Sequence, residues 1–220
     1  MCGRFTLRLP QAFTAFPWLD PSLLANTPPR FNIGPGQTLL WWPSEKGAST
    51  EARQGLWGWP SPQKGSSGLL INARAETLRQ KPTFRPHLEN RILIPADGYY
   101  EWLRSEGPPR PWYIHLPDDE PFFLAGLAAG DKALVLTTAA AGPAARIHHR
   151  IPWLLRAPEA RQWLHREIPY PPSETSPPPP PAARDLQLRE VHPRVNNYRS
   201  EGPACLDPPE PGPDQLTFGW

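Results

Sequence analysis

Cysteine is nearly absent from the 220-residue chain: it occurs at Cys2 and Cys205 and nowhere else. Two thiols exclude the disulfide framework that holds small secreted folds together. With scattered histidines they offer no metal-ligand spacing, so neither a metal nor another cofactor is expected. Long apolar runs are missing as well. No stretch approaches the roughly 20 apolar residues of a membrane span, and no apolar segment follows a basic start as in a signal peptide. A soluble, cytoplasmic protein with no membrane partner is expected. Lysine is scarce, since almost all of the 23 Lys and Arg residues are Arg. A net charge of +2 does not by itself demonstrate a nucleic-acid partner. Arg is nevertheless the side chain suited to bidentate phosphate contacts and base stacking.

What is abundant is proline, with 34 residues, and tryptophan, with 10. That combination favours short extended elements joined by rigid turns, hence a mostly β or α+β chain with one core and one domain. Strands are predicted at Arg4 to Leu9, Thr38 to Trp42, Leu56 to Pro60, Arg91 to Trp102 with a turn at Asp97-Gly98, Trp112 to Leu116, Phe122 to Ala128, Ala133 to Thr138 and Leu186 to Val195. Helical turns are predicted over Gln11 to Ala25, with Phe13, Phe16 and Trp18 facing inward, and a small amphipathic helix over Pro158 to Arg166. Glu45 to Glu51 reads as a hairpin tip and Ser61 to Gly68 as a flexible loop. Residues 167–183 are proline-rich and read as an extended spacer looping out of a domain that spans 1–206, because the strand after it must return to the same sheet. Residues 207–220 read as a disordered tail.

The stretch Met1-Cys2-Gly3-Arg4 carries the most distinctive chemistry. Removal of Met1 leaves a thiol beside a free amine, with ordinary pKa values near 8.5 and 7.7–8.0. Such an aminothiol either attacks an acyl group with its own amine as base or condenses with an aldehyde to a five-membered thiazolidine. Glu101 lies among aromatics and reads either as an edge-exposed carboxylate or, where burial disfavours its charged form, as a proton carrier near pH 7. His148 and His149 offer further proton transfer, but neighbours in a strand face opposite ways, so at most one enters a given site. Trp57 and Trp59, beside a Gly/Pro-rich loop, read as core aromatics or as a stacking surface for bases.

Several segments recur in one order: Met1-Cys2-Gly3-Arg4-Phe5, Arg30-Phe31-Asn32-Ile33 with Pro35 and Gln37, Trp57-Gly58, and Ile71-Asn72-Ala73-Arg74-Ala75-Glu76-Thr77. They continue through Lys81-Pro82-Thr83-Phe84-Arg85, Ile94-Pro95-Ala96-Asp97-Gly98-Tyr99-Tyr100-Glu101-Trp102, Ala125-Gly126-Leu127, Ile147-His148-His149-Arg150-Ile151-Pro152 and Val195-Asn196-Asn197. In this order they resemble the SOS-response-associated peptidase (SRAP) family of abasic-site processing proteins over most of the chain. The resemblance implies an α+β fold with a barrel-like, mainly antiparallel β core and a few short helices. It further implies a protein, expected to be a monomer, that binds single-stranded DNA and joins itself covalently to abasic sites in the DNA damage response.

Carried over by residue, the resemblance makes Cys2 the covalent nucleophile, Asn72 a positioning group, and Glu101 and His148 the acid/base pair. Arg4, Arg74 and Arg150 become phosphate contacts, and Trp57 joins the DNA-binding set. One departure is His149, where the family usually has Asp, which puts in question how that loop is held. Two other readings stand beside capture: an N-terminal-nucleophile cysteine hydrolase acting on an acyl substrate, and a single-stranded DNA module without covalent chemistry. The acyl reading calls for an oxyanion hole and usually a synthase domain, for which the chain leaves no room.

Overall fold

A computed structural model describes residues 2–44, 51–61, 68–170 and 178–210. Five strands close a barrel in the order Lys132–Ala139, Arg53–Trp57, Thr38–Pro43, Arg91–Ala96 and Phe122–Ala129, with the last pairing back to the first. All of these pairings are antiparallel except Lys132–Ala139 with Arg53–Trp57. Arg91–Ala96 is buried along its whole length because one face fills the barrel and the other is covered by further elements. That double burial explains its near-continuous apolar sequence. A second, five-stranded sheet runs in the order Gln187–Glu190, Arg110–His115, Gly98–Leu103, Arg4–Leu7 and Arg30–Ile33.

The α+β, barrel-like expectation holds: strands dominate, and among the described residues the one α-helix is Ala157–Leu164. That helix buries Ala160, Trp163 and Leu164. Phe13 is fully buried, while Phe16 and Trp18 are half-buried and pack on Phe123 at ring distances of 5.4 and 5.7 Å. The strand expected over Leu186 to Val195 does rejoin the same sheet, pairing with Arg110–His115. It stops at Glu190, and Pro193 opens a 3-10 turn that ends at Asn196.

Two expectations are corrected. Asp97-Gly98 does not reverse the chain between paired strands. Arg91–Ala96 belongs to the barrel and Gly98–Leu103 to the other sheet, so Asp97 hands the chain from one to the other. The proline-rich spacer is also not free of the core at its ends. Tyr170 is buried with its hydroxyl donating to Leu88 O at 2.7 Å, and Ala182 and Ala183 are buried in the turn Pro181–Arg184. Small and aromatic residues at the two ends provide the apolar surface that the prolines between them lack. The rest of that spacer, the hairpin tip, the loop before Gly68 and most of the tail lie outside the described residues.

Candidate functional site

The strand Arg4–Leu7 brings the N-terminal residues to the site. It pairs antiparallel with Gly98–Leu103, placing Arg4 opposite Tyr100 and Thr6 opposite Gly98. Extending that register puts Gly3 opposite Glu101 and Cys2 beside Trp102. The far end of the strand is pinned by the fully buried Asp97. Its Oδ2 accepts from Arg8 N at 2.5 Å and Leu9 N at 2.8 Å, and its Oδ1 accepts from Thr6 Oγ1 at 2.5 Å and Arg8 Nε at 3.1 Å. Gly98 has no Cβ because the Tyr113 hydroxyl occupies that space.

Cys2 is fully buried, and its Sγ faces Arg4 O at 3.7 Å. Burial pushes the thiol well above its ordinary value, and the negative charge of Glu101 pushes in the same direction. The neutral thiol is therefore the resting form. The protein grips Cys2 by its backbone: Asn72 Nδ2 donates to Cys2 O at 2.7 Å. Asn72 is held at the barrel seam, because Asn72–Arg74 runs parallel to Lys132–Ala139 with Val135 opposite Asn72. Its Oδ1 is buried with no hydrogen-bond partner among the described residues.

Glu101 is 3% exposed, and burial raises its carboxyl above the usual range. His148 follows the 3-10 turn Gly142–Arg146, and burial lowers its proton affinity. Arg150 N donates to His148 Nδ1 at 2.9 Å. The same Nδ1 lies 3.1 Å from Arg150 O, so the tautomer of the ring decides whether Nδ1 accepts from the amide or donates to the carbonyl. Glu101 and His148 line one cleft of about 640 Å³ with Trp102, Arg104 and His149. Asn72 lines a second groove of about 380 Å³ with Arg74, Thr77, Gln80, Lys81 and Phe84. Cys2 is bonded to the wall of one and electrostatically coupled to the wall of the other.

The structure thus joins Cys2 to Asn72 by a hydrogen bond and sets Glu101 and His148 in one cleft, while the expected DNA contacts divide. Arg74 is exposed in its groove. Arg4 is half-buried, donating from Nη1 to Asn32 Oδ1 at 2.8 Å and Val195 O at 2.9 Å, so it ties the N-terminal strand to the 195–200 loop. Neither acceptor is a carboxylate, and its positive charge is not neutralised by them. Arg150 requires a correction as a phosphate contact: it is 6% exposed, with its guanidinium forked onto Glu76 and donating to Thr137 O at 2.7 Å. Burial works to raise the Glu76 carboxyl, but the bonds from Arg150 outweigh it and hold the group below its usual range. Arg150 is a strut between the segment of Asn72 and the segment of His148. Trp57 is corrected in the same way. It is fully buried, donates Nε1 to Ile71 O at 3.0 Å and packs edge-on against Phe5, so it offers no face to a base.

Glu76, Asp97 and Asn32 were given no role by sequence reading. Asn32 Nδ2 donates to Asn197 O at 3.0 Å and Ser200 O at 2.9 Å, clamping the loop that Arg4 also holds. The one available signal was that a carboxylate or amide in an apolar strand needs partners when buried.

Comparisons with known proteins show the family and the fold. Residues 1–198 match the family described as SOS response associated peptidase (SRAP). The abasic site processing protein YedK of Escherichia coli is 30% identical over 81% of this chain and 84% of its own length. The abasic site processing protein YoqW of Bacillus subtilis is 29% identical over 94% of this chain and 99% of its own. A crystal structure of a phage-related protein from Bordetella bronchiseptica superposes with a TM-score of 0.65 at 28% identity, covering 86% of this chain and 94% of that one. A protein from Bacteroides thetaiotaomicron has the same fold, with a TM-score of 0.68 at 18% identity over 94% and 99% of the two chains.

Proposed function

We propose, because the chain belongs to the SOS response associated peptidase (SRAP) family and because its Cys2 is gripped between two clefts, that it captures abasic sites in single-stranded DNA as a covalent adduct. The observation that carries the reading is the hydrogen bond from Asn72 to the Cys2 carbonyl, which fixes the backbone of the nucleophile while Glu101 and His148 line the adjoining cleft. The names of the relatives support the substrate class.

The chemistry starts with loss of Met1, by an aminopeptidase or by the protein itself, which turns the Cys2 amide into an amine. An abasic deoxyribose interconverts with a ring-opened aldehyde, and ring opening moves a proton from the C1 hydroxyl to the ring oxygen. His148, whose proton affinity burial lowers, accepts such a proton, and Glu101, whose carboxyl burial raises above the usual range, delivers one. The amine adds to the aldehyde carbon to give a carbinolamine. Protonation of its hydroxyl releases water and leaves an imine. The thiol sulfur then bonds to the imine carbon and its proton passes to nitrogen, closing the thiazolidine with one water lost overall. The neutral, buried thiol favours this order, amine first and sulfur second. Arrest at the imine permits β-elimination, so weak strand cleavage accompanies capture. Exposed Arg74 in one groove and Arg104 in the other hold phosphates on the two sides of the lesion.

The test is incubation of processed protein with a single-stranded oligonucleotide containing one abasic site. A denaturant-resistant adduct is expected, lost in Cys2→Ala, with an intact mass lacking Met1. Absence of any adduct with processed protein overturns the reading, as does full activity with Met1 retained.

A further inference from the structure

The rings of His148 and His149 stack, with centroids 4.3 Å apart and planes inclined by 26°. Both line the cleft that holds Glu101. Alternation in a strand would have sent them to opposite faces, but the strand begins only at Arg150, so the two side chains share a side. The His149 ring is not what holds the loop. Backbone bonds do that, from Ala140 N to His149 O at 3.0 Å and from His148 N to Ala144 O at 3.2 Å, together with the amide of Arg150 on His148 Nδ1. His149 is exposed, so the stack is not a core contact either. A side chain with no part in the core or the loop's hydrogen bonding lies on the face of the proton-transfer residue.

We propose that His149 is a positioning residue that acts through the stacked rings to set the pH range in which His148 is neutral, keeping it a proton acceptor further into acid than a lone imidazole. The inference rests on the capture reading for its functional consequence, though not for its physical content. The charged groups facing His148 are Glu101 and Arg104 across the cleft, His149 on its face, and the amine that Cys2 gains on processing. The Arg150 guanidinium is turned away, onto Glu76. Burial lowers the proton affinity of His148, the N-terminal amine and then the charges of His149 and Arg104 add to the lowering, and a bond to the Arg150 backbone opposes it. Two imidazolium charges this close repel enough to move a titration by roughly half to one pH unit where solvent reaches them.

The experiment is an NMR titration of the His148 ring in the full chain for wild type, His149→Gln and His149→Asp. The midpoint is expected to rise by about 0.5–1 pH unit in the Gln variant and further in the Asp variant, which places an opposite charge on the ring face. High salt is expected to narrow the spread. Midpoints agreeing within about 0.2 pH unit overturn the inference, since that is below any useful Coulomb effect at this distance. In parallel, the acid limb of adduct formation on an abasic oligonucleotide is expected to shift by the same amount in His149→Gln with its plateau unchanged. A lowered plateau with an unmoved midpoint assigns His149 to loop shape and also overturns it. If wild type forms no adduct at any pH, capture fails while the NMR titration still decides the role of His149.

Discussion

Cys2, Glu101 and His148 each owe their reactive form to where they sit. Burial raises the Cys2 thiol and the Glu101 carboxyl above their ordinary values and lowers the proton affinity of His148, the directions that amine-first condensation favours. Glu101→Gln keeps the shape and removes the transferable proton, and adduct formation is expected to slow about 10²-fold on denaturing gels. The same substitution has a stability signature with a definite sign. The folded-state value of Glu101 lies above its unfolded value, so the protonated form's contribution is complete below the unfolded value and is lost as pH rises through the folded one. Gln has no charge to desolvate. Thermal melts are therefore expected to show Glu101→Gln above wild type at pH 8, with the gap closing towards pH 4. A gap that is constant with pH would remove the ionisation of Glu101 from the explanation.

Segments meet at this site through two buried polar links. The Arg150–Glu76 pair joins the end of Asn72–Arg74 to the start of Arg150–Pro152, so the groups holding Cys2 and carrying His148 keep a fixed separation. Replacing one partner leaves the other's charge buried alone. Glu76→Leu is expected to destabilise by about 3–5 kcal/mol, and the double change Glu76→Leu with Arg150→Met by much less than the sum of the single changes. Urea unfolding of the four-protein cycle measures this. Asp97 is the second link, because one carboxylate satisfies the amides of Arg8 and Leu9 where the N-terminal strand leaves the sheet. Asp97→Ala is expected to destabilise by roughly 3 kcal/mol or more, with the amides of Arg8 and Leu9 losing their acceptor. Arg91 supplies comparable anchoring on the far side of the barrel, its guanidinium lying 4.4 Å from the Trp163 ring and 4.3 Å from the Tyr170 ring.

Across the whole molecule a barrel and a second sheet meet at the N-terminal strand, whose Cys2 is hydrogen-bonded to Asn72 of one groove and electrostatically coupled to Glu101 of the other. The net charge is only +2, so the proposed capture of DNA would draw on local cations such as Arg74, Lys81 and Arg104 rather than on a global field. Binding to an undamaged single strand is expected to weaken linearly with log salt, and Arg74→Ala to reduce that slope by about 0.7, the value of one phosphate contact. Fluorescence anisotropy across a salt series tests it, and an unchanged slope would remove Arg74 from the strand's path. By itself the sequence determined the strand-rich fold, because alternation and proline placement are local, and it marked Cys2, Glu101 and His148 as candidates for chemistry, because residue type is local, while Asn72 stood out only through the family resemblance. Only the tertiary structure decided which arginines meet solvent and which tryptophan is core. Arg74 and Arg150, or Trp57 and an exposed aromatic, look alike along the chain, and their burial depends on partners such as Glu76 and Ile71 that the closing of the barrel brings to them.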